Sequence, residues 1–356
     1  MRDPRIPITY AQAINEAITQ AMASDRSVIC YGLGTTDPKG IFGTTIGLEA
    51  EFGSSRVFDV PCSENGMTGV GIGAALGGVR PVMTHQRLDF FLLAMDQLVN
   101  AAAKWRYMFG GHSSVPITIR LIIGRGWGQG PTHSQNLQAW FAHVPGLKVV
   151  MPTTAFEAKG LLLSSIFDPN PVIFLEHRWL HNATAEVPTT NYKLPLGKSA
   201  VARSGSDITI LSMSYLTVEA LRAAEYLLEQ YGVSCEVVDL LSLRPIDWDT
   251  IVQSLQKTRS LLVLDTGQTT GSIAGEILAR SVSEIRIDFK QTPKRLAMPD
   301  YPEPTSFGLT DDFYVDAGHI AKAVLEQLDI NPKCNLRQLK PQSPHDVPGP
   351  WFKGPF

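Results

Sequence analysis

Three stretches of this 356-residue chain carry side chains that could do chemistry. The first is Pro61-Cys62-Ser63-Glu64-Asn65-Gly66. A strand-like apolar run at 56–60 leads into it, and a helix of small residues, GMTGVGIGAALGG, leads out. A carboxylate at such a junction sits beside the positive end of the helix dipole. An ordinary helix-start acid would look the same. The second stretch runs from Gly124 to Gln135, GRGWGQGPTHSQ, directly after a strand that ends at Ile123. Its four glycines suggest backbone passing close to a ligand, and His133 is of the type that moves protons near neutral pH. A surface loop with an incidental histidine is the plain alternative, but a loop at the carboxyl end of an α/β strand favours function. The third is Phe90 with Asp96, inside the apolar run FFLLAMDQLVNAAAKWRYMF, where an aromatic is more often core and a buried acid needs a partner.

Gly69, Gly71, Gly73, Gly77 and Gly78 raise a rival reading, a dinucleotide-binding turn. That turn needs its glycines in the tight loop just after the strand. Here they fall inside the helix, at positions where another backbone could approach, so helix–helix packing is the expectation.

The elements that must position these groups alternate. Strand-like runs at 28–31, 57–60, 81–84, 117–123, 148–151 and 172–175 read as continuous Val/Ile/Leu segments, the pattern of a parallel sheet buried on both faces. Thr9 and Gln12 form a capping-box pattern ahead of Ile14, Ile18 and Met22, and further helices are expected at 91–108 and 154–166. A polar, turn-rich stretch then reads as a linker. A second α/β unit follows, with strands at 208–213, 235–240 and 261–265 and helices at 218–231, 248–256 and 272–283. The fold class is α/β with two domains, at 1–180 and 206–330, a linker at 181–205 and a Pro-rich tail at 331–356.

Bulk properties narrow the function. The formal charge of −3 gives no basic excess to neutralise phosphates, which argues against a nucleic-acid partner. No apolar run reaches the roughly 18–20 residues of a membrane span, and the N-terminal MRDPRIPITY lacks a signal-peptide core. Cys30, Cys62, Cys235 and Cys334 form no CxxC pair, which speaks against a zinc site or disulfide framework and for a reducing cytoplasm.

Taken in order, the segments AQAINEAI, RVFDVPCSENG, GGVRPVM, DQLVNAAAKWRYMFGG, THSQNLQAWFAHVPGLKVVMPTTAFEAKGLL, DPNPVIFLEH, DITILSMS and GVSCEVVDLLSLRPIDWDTI resemble the beta subunits of 2-oxo-acid dehydrogenases, pyruvate and branched-chain types, within the wider transketolase-like group. The resemblance spans roughly 5–330 at near-constant spacing. It implies a transketolase-like pyrimidine-binding domain, with a parallel sheet covered by helices on both faces, then a transketolase C-terminal domain. It implies thiamine diphosphate as coenzyme. Glu64 matches the glutamate that hydrogen-bonds N1′ of the aminopyrimidine and so promotes the 4′-imino form, which takes the thiazolium C2 proton. Phe90 matches the aromatic packed on the pyrimidine. His133 matches the histidine near the reacting carbon, where the acyl acceptor arrives. Asp96 matches an acid of the network linking two active sites. Ile117, Ser165, Ile166, Asp168 and Asn170 match positions that hold a structural potassium ion in some members.

Two departures stand out. Leu33 replaces an acid of the same inter-site network. His85, Gln86 and Arg87 replace a more apolar, aromatic segment, which predicts a more polar, cationic substrate pocket, suited to a sugar or an anionic oxo acid. The GDG…N segment that holds Mg²⁺ against the diphosphate does not occur in the chain. The resemblance therefore implies an alpha subunit that supplies it, in an α₂β₂ assembly, with a lipoyl acyltransferase as acceptor. Half of a split transketolase is the nearest alternative; an NAD-dependent dehydrogenase and a non-catalytic subunit are more distant ones.

Overall fold

The computed structural model describes residues 4–124, 129–333 and 336–339. Residues 125–128 of the glycine-rich loop and most of the Pro-rich tail lie outside that set. The described chain divides into two compact units.

In the first unit, β1 (Arg5–Thr9), β2 (Val28–Gly32), β3 (Val57–Asp59), β4 (Arg80–His85), β5 (Thr118–Ile123), β6 (Lys148–Val150), β7 (Val172–His177) and β8 (Thr184–Pro188) form two pieces of sheet. Strands β6-β7-β5-β4-β2-β3 lie side by side, all parallel. The residues of β5 and β7 are buried throughout, as their unbroken apolar pattern requires. Strands β1 and β8 pair antiparallel as a separate ribbon.

The helices up to residue 166 are α1 (Tyr10–Ser24), α2 (Leu48–Phe52), α3 (Glu64–Leu76), α4 (Leu88–Phe91), α5 (Ala103–Met108), α6 (Gln138–His143) and α7 (Ala155–Ile166). The expected capping box forms: Thr9 Oγ1 accepts from Gln12 N, while the Gln12 side chain accepts from Thr9 N. Thr154 and Glu157 do the same for α7, against which α1 packs.

In the second unit, β9 (Ala200–Arg203), β10 (Ile208–Ser212), β11 (Cys235–Asp239), a short β12 (Ser242–Arg244), β13 (Leu261–Gln268) and β14 (Lys294–Met298) accompany α8 (Tyr215–Tyr231), α9 (Trp248–Thr258), α10 (Ile273–Ser283), α11 (Phe307–Thr310) and α12 (Ala317–Gln327). The sheet order is β14-β13-β10-β11-β9, parallel except for β9. Ile210, Val237 and Leu264 from the sheet pack with Leu227 and Val324 from α8 and α12.

Three expectations need correction. The stretch 181–205, read as a linker, contains β8 and β9. Its polar residues follow from its position: β8 is half of a two-stranded ribbon, and β9 is an edge strand with two of its four residues exposed. The helical stretch expected at 91–108 is helical throughout but not one uniform α-helix: it runs through α4, a 3₁₀ turn at Leu92–Ala94, a π-helical stretch at Gln97–Ala102, and α5. Finally, residues 124–139 group with the second unit although they fall between β5 and β6 in sequence.

Candidate active site

Strands β2, β3 and β4 are neighbours, and the chain leaves each one at the same edge of the sheet. At their carboxyl ends lies an open cleft. Such a crevice is where open parallel sheets bind ligands. Gly32 and Leu33 line it from the end of β2, Pro61, Cys62 and Glu64 from the end of β3, and His85 and Gln86 from the end of β4. Met67 of α3 and Phe90 of α4 complete the wall.

Glu64 is the first residue of α3, so its carboxylate stands at the unsatisfied N–H end of that helix. It is partly exposed, within 3.8 Å of the Cys62 thiol. Phe90 presents an exposed ring, which in an α/β unit with an otherwise well-filled core marks a contact surface. Thus Glu64 and Phe90, 26 positions apart, meet in one cleft.

Helix α3 owes its seat to Gly71. A Cβ there would lie 2.0 Å from the Tyr31 hydroxyl, which donates to the Met67 carbonyl at 3.2 Å. Gly69 meets the Gln97 side chain, and Gly73 faces open space. Helix α3 packs on the helical segment that carries Gln97, in line with the expected helix–helix packing, and the near neighbours of Gly69 and Gly71 are side chains. None of these glycines sits in the loop between β3 and α3, so a dinucleotide turn does not fit.

His85 is buried, with its ring edge-on to Phe91 at 5.0 Å. Burial lowers its pKa to about 4, so it is neutral at physiological pH. Its Nε2 has no hydrogen-bond partner among the described residues. A buried polar atom without a partner is costly, so a hydrogen-bonding group brought to it would be favoured. Gln86 Nε2 reaches the Leu33 carbonyl at 3.4 Å.

Arg87 does not line the cleft. It is buried, with its guanidinium 5.4 Å from the centre of the Phe42 ring. Arg178, just after β7, lies 4.4 Å from the same ring. Burial, and then the charge of Arg87, lower the Arg178 pKa to about 10. Phe42 itself adopts a left-handed φ of 51°, a conformation disfavoured for a bulky residue. Sequence reasoning singled out Arg87 but neither Phe42 nor Arg178, because only the fold brings these separated positions together.

Asp96, expected buried, is exposed. It accepts from Asn100 Nδ2 at 2.7 Å and Gln97 Nε2 at 3.3 Å, where the helix widens into its π-helical stretch. Local π geometry is frequent at functional positions. His133 lies in the second unit. Its backbone N–H donates to Gly130 O at 3.2 Å, and its Nδ1 is 3.1 Å from Thr132 Oγ1.

The potassium positions do not fit that ion. Arg80 Nη1 donates to the carbonyls of Ile166 and Asp168 at 3.2 and 3.3 Å, and the Lys148 ammonium pairs with the Asp168 carboxylate. The Ile117 carbonyl accepts from Val172 N, the Ser165 carbonyl from Asp168 N, and Asn170 donates to Asp168 Oδ1. Cationic side chains already meet the Ile166 and Asp168 oxygens, and backbone N–H groups those of Ile117 and Ser165. No group of three or more His, Cys, Asp or Glu among the described residues is placed to hold a metal, and no described helix is long and apolar enough to cross a membrane.

Comparison with known proteins sharpens the site's meaning. Residues 6–183 match the transketolase pyrimidine-binding domain family, and residues 197–320 match the transketolase C-terminal domain family. The chain is 39% identical to the beta subunit of acetoin:2,6-dichlorophenolindophenol oxidoreductase from Bacillus subtilis, over 90% of this chain and 97% of that protein. It is 40% identical to the 2-oxoisovalerate dehydrogenase beta subunit of the same species, over 83% of this chain and 90% of that one. It is 39% identical to the pyruvate dehydrogenase E1 component beta subunit of Rhizobium meliloti, over 86% of this chain and 68% of that protein. Among solved structures, an inactive beta4 tetramer of a split-gene transketolase superposes with a TM-score of 0.74 at 19% identity, over 91% of this chain and 99% of that one, a likeness of fold.

Proposed function

The chain belongs to the transketolase-like family that contains the beta subunits of thiamine-diphosphate-dependent 2-oxo-acid dehydrogenases, and from that premise we propose that Glu64 activates the coenzyme in the cleft at the ends of β2, β3 and β4. The observation that carries the reading is one wall bearing an acid, an exposed aromatic ring and an unpartnered buried imidazole nitrogen. These residues fit an aminopyrimidine. Glu64 would hold a proton at the ring nitrogen facing it, Phe90 would pack on the ring face, and neutral His85 would offer Nε2 as a hydrogen-bonding group. When bound, the coenzyme supplies a carbon nucleophile for decarboxylation of a 2-oxo acid. His133 would serve where the acyl unit passes to its acceptor, a lipoyl carrier.

The Mg²⁺ and diphosphate contacts fall to an alpha subunit in an α₂β₂ assembly. Large apolar side chains left exposed on α3 and on the segment from Phe90 to Phe109, among them Val70, Leu93, Met108 and Phe109, support a protein partner there. Asp96, exposed on that same segment, is available for an inter-site network across such an interface, while Leu33 gives it no second acid. Cys30, Cys62 and Cys235 are free thiols, in keeping with a reducing compartment such as the cytoplasm.

Substrate choice is read from the altered wall. His85 and Gln86 on the wall favour a substrate more polar than pyruvate, and the buried Arg87–Phe42–Arg178 group, outside the lining, adds positive charge that favours an anionic oxo acid. The test is the enzyme reconstituted with an alpha subunit that supplies the missing GDG…N segment. It should pass acyl groups to a lipoylated domain and not transfer ketol units between sugar phosphates; the opposite result identifies half of a transketolase. E64Q should cut turnover by about 10²–10⁴-fold with an unchanged circular dichroism spectrum. A fully active E64Q enzyme refutes the role given to Glu64.

A further inference from the structure

The segment that carries His133 is anchored at both ends by residues of the second unit. At its end, Gln138 is fully buried at the start of α6 and donates through Nε2 to Asp265 Oδ1 at 2.6 Å and to Thr266 Oγ1 at 3.0 Å. Asp265 is fixed in turn. Its Oδ1 accepts from Gly267 N at 2.9 Å and its Oδ2 from Ala274 N at 3.0 Å, in the first turn of α10. Gly267 leaves room for the segment, since a Cβ there would come within 3.0 Å of the Asn136 carbonyl oxygen and 3.1 Å of Gln138 Nε2. At the other end, Gly130 has a φ of +74°, and a Cβ on it would meet Thr305 Oγ1 at 2.4 Å. The His133 N–H donates back to the Gly130 carbonyl, so the histidine sits on a turn whose base abuts Thr305.

These contacts all lie within one unit, and none is needed to build its sheet. Asp265 ends the central apolar run of β13 with a buried carboxylate that burial pushes up in pKa, even though it accepts the three hydrogen bonds just described. Such a group destabilises a core unless it holds something in place. What it holds is Gln138, five residues from His133.

We propose that Asp265, acting through Gln138, is the positioning residue for His133, so that the second domain contributes to catalysis by holding the histidine turn. The inference rests on the reading of His133 as the group beside the acyl acceptor. It assigns a function to a domain in which sequence reasoning found no candidate chemistry.

The experiment uses the holoenzyme assembled with its alpha subunit, in two assays. One is proton–deuterium exchange at the coenzyme C2, which depends on Glu64. The other is acyl transfer to a lipoylated domain. Q138L should lower transfer roughly ten- to hundredfold while exchange stays within about twofold, because a displacement of about 1 Å costs that much in a positioned step. T266V, which removes only the second acceptor of Gln138, should show a smaller loss of the same kind. H133A, run beside them, should lose transfer at least as strongly as Q138L. If H133A is impaired while Q138L and T266V transfer normally, the positioning role is overturned. If H133A transfers normally, the reading of His133 fails instead. Equal loss in both assays by Q138L and T266V means general damage to the fold and also overturns the proposal. Should Q138L fail to fold, T266V decides alone.

Discussion

At the scale of single residues, the two arginines on Phe42 make the sharpest claim about substrate. Two guanidinium groups over one ring repel each other in a buried setting; Asp89 offsets part of this at Arg87, and a ligand carboxylate brought near would offset more. R87M should therefore raise KM for an anionic oxo acid about threefold to tenfold, through loss of a nearby buried charge, and leave coenzyme affinity within about twofold. Titration of coenzyme and substrate separately checks this, and equal loss of both would sink the idea. Glu64 was legible in the sequence because its cue is local, a carboxylate where a strand turns into a helix. The unpartnered nitrogen of His85 was not, since whether a side chain finds a partner depends on distant residues. Arg178 and Phe42 escaped for the same reason: they lie 136 positions apart in the sequence (178 minus 42).

At the scale of elements, the seat of α3 depends on one absent methyl. G71A would add helix propensity worth up to about 1 kcal/mol. It would also push a Cβ to within 2.0 Å of the Tyr31 hydroxyl, and overpacking of that kind costs about 1–3 kcal/mol. The clash should win, giving a net loss in urea denaturation. Y31F removes the oxygen and should restore part of the loss in the double variant, at the expense of the bond to the Met67 carbonyl. Simple additivity of the two changes would show that the contact does not govern the fit. Most strands and most helices could be read from apolar runs and capping patterns, and the Thr9 box is an instance. The changes of helical geometry between Leu88 and Met108 could not, although the helical run itself could. Its amphipathic pattern runs on through that stretch, and the switch into π geometry leaves no mark in it. Strand β8 was missed because a two-stranded ribbon shields little surface and tolerates polar residues.

At the scale of the whole molecule, buried histidines set how stability responds to acid. His85 and His181 have folded-state pKa values of about 4 against 6.5 for the free side chain, in each case chiefly through burial. The unfolded chain binds these protons more readily, so stability is full above pH 6.5 and declines as pH falls towards 4. Each group contributes a slope of up to about 1.4 kcal/mol per pH unit. Urea midpoints at pH 7.5, 6 and 5 should fall in that order, and H85Q should flatten the trend; a flat profile in the unaltered chain would contradict the burial of both rings. Glu176 works in the same direction at lower pH, because Arg120, 2.6 Å away, and His181 hold its carboxyl below the usual range despite complete burial. The division into two α/β units was readable from the alternation of elements, but the assignment of residues 124–139 was not, since it follows spatial contact and not chain order. That excursion bears on how such genes can be recombined. A chimera joined near residue 196 would pair the Gln138 of one parent with the Asp265 of another. Grafting the second body from a relative should thus preserve turnover only when residues 124–139 travel with it, so the heritable module is discontinuous in the gene.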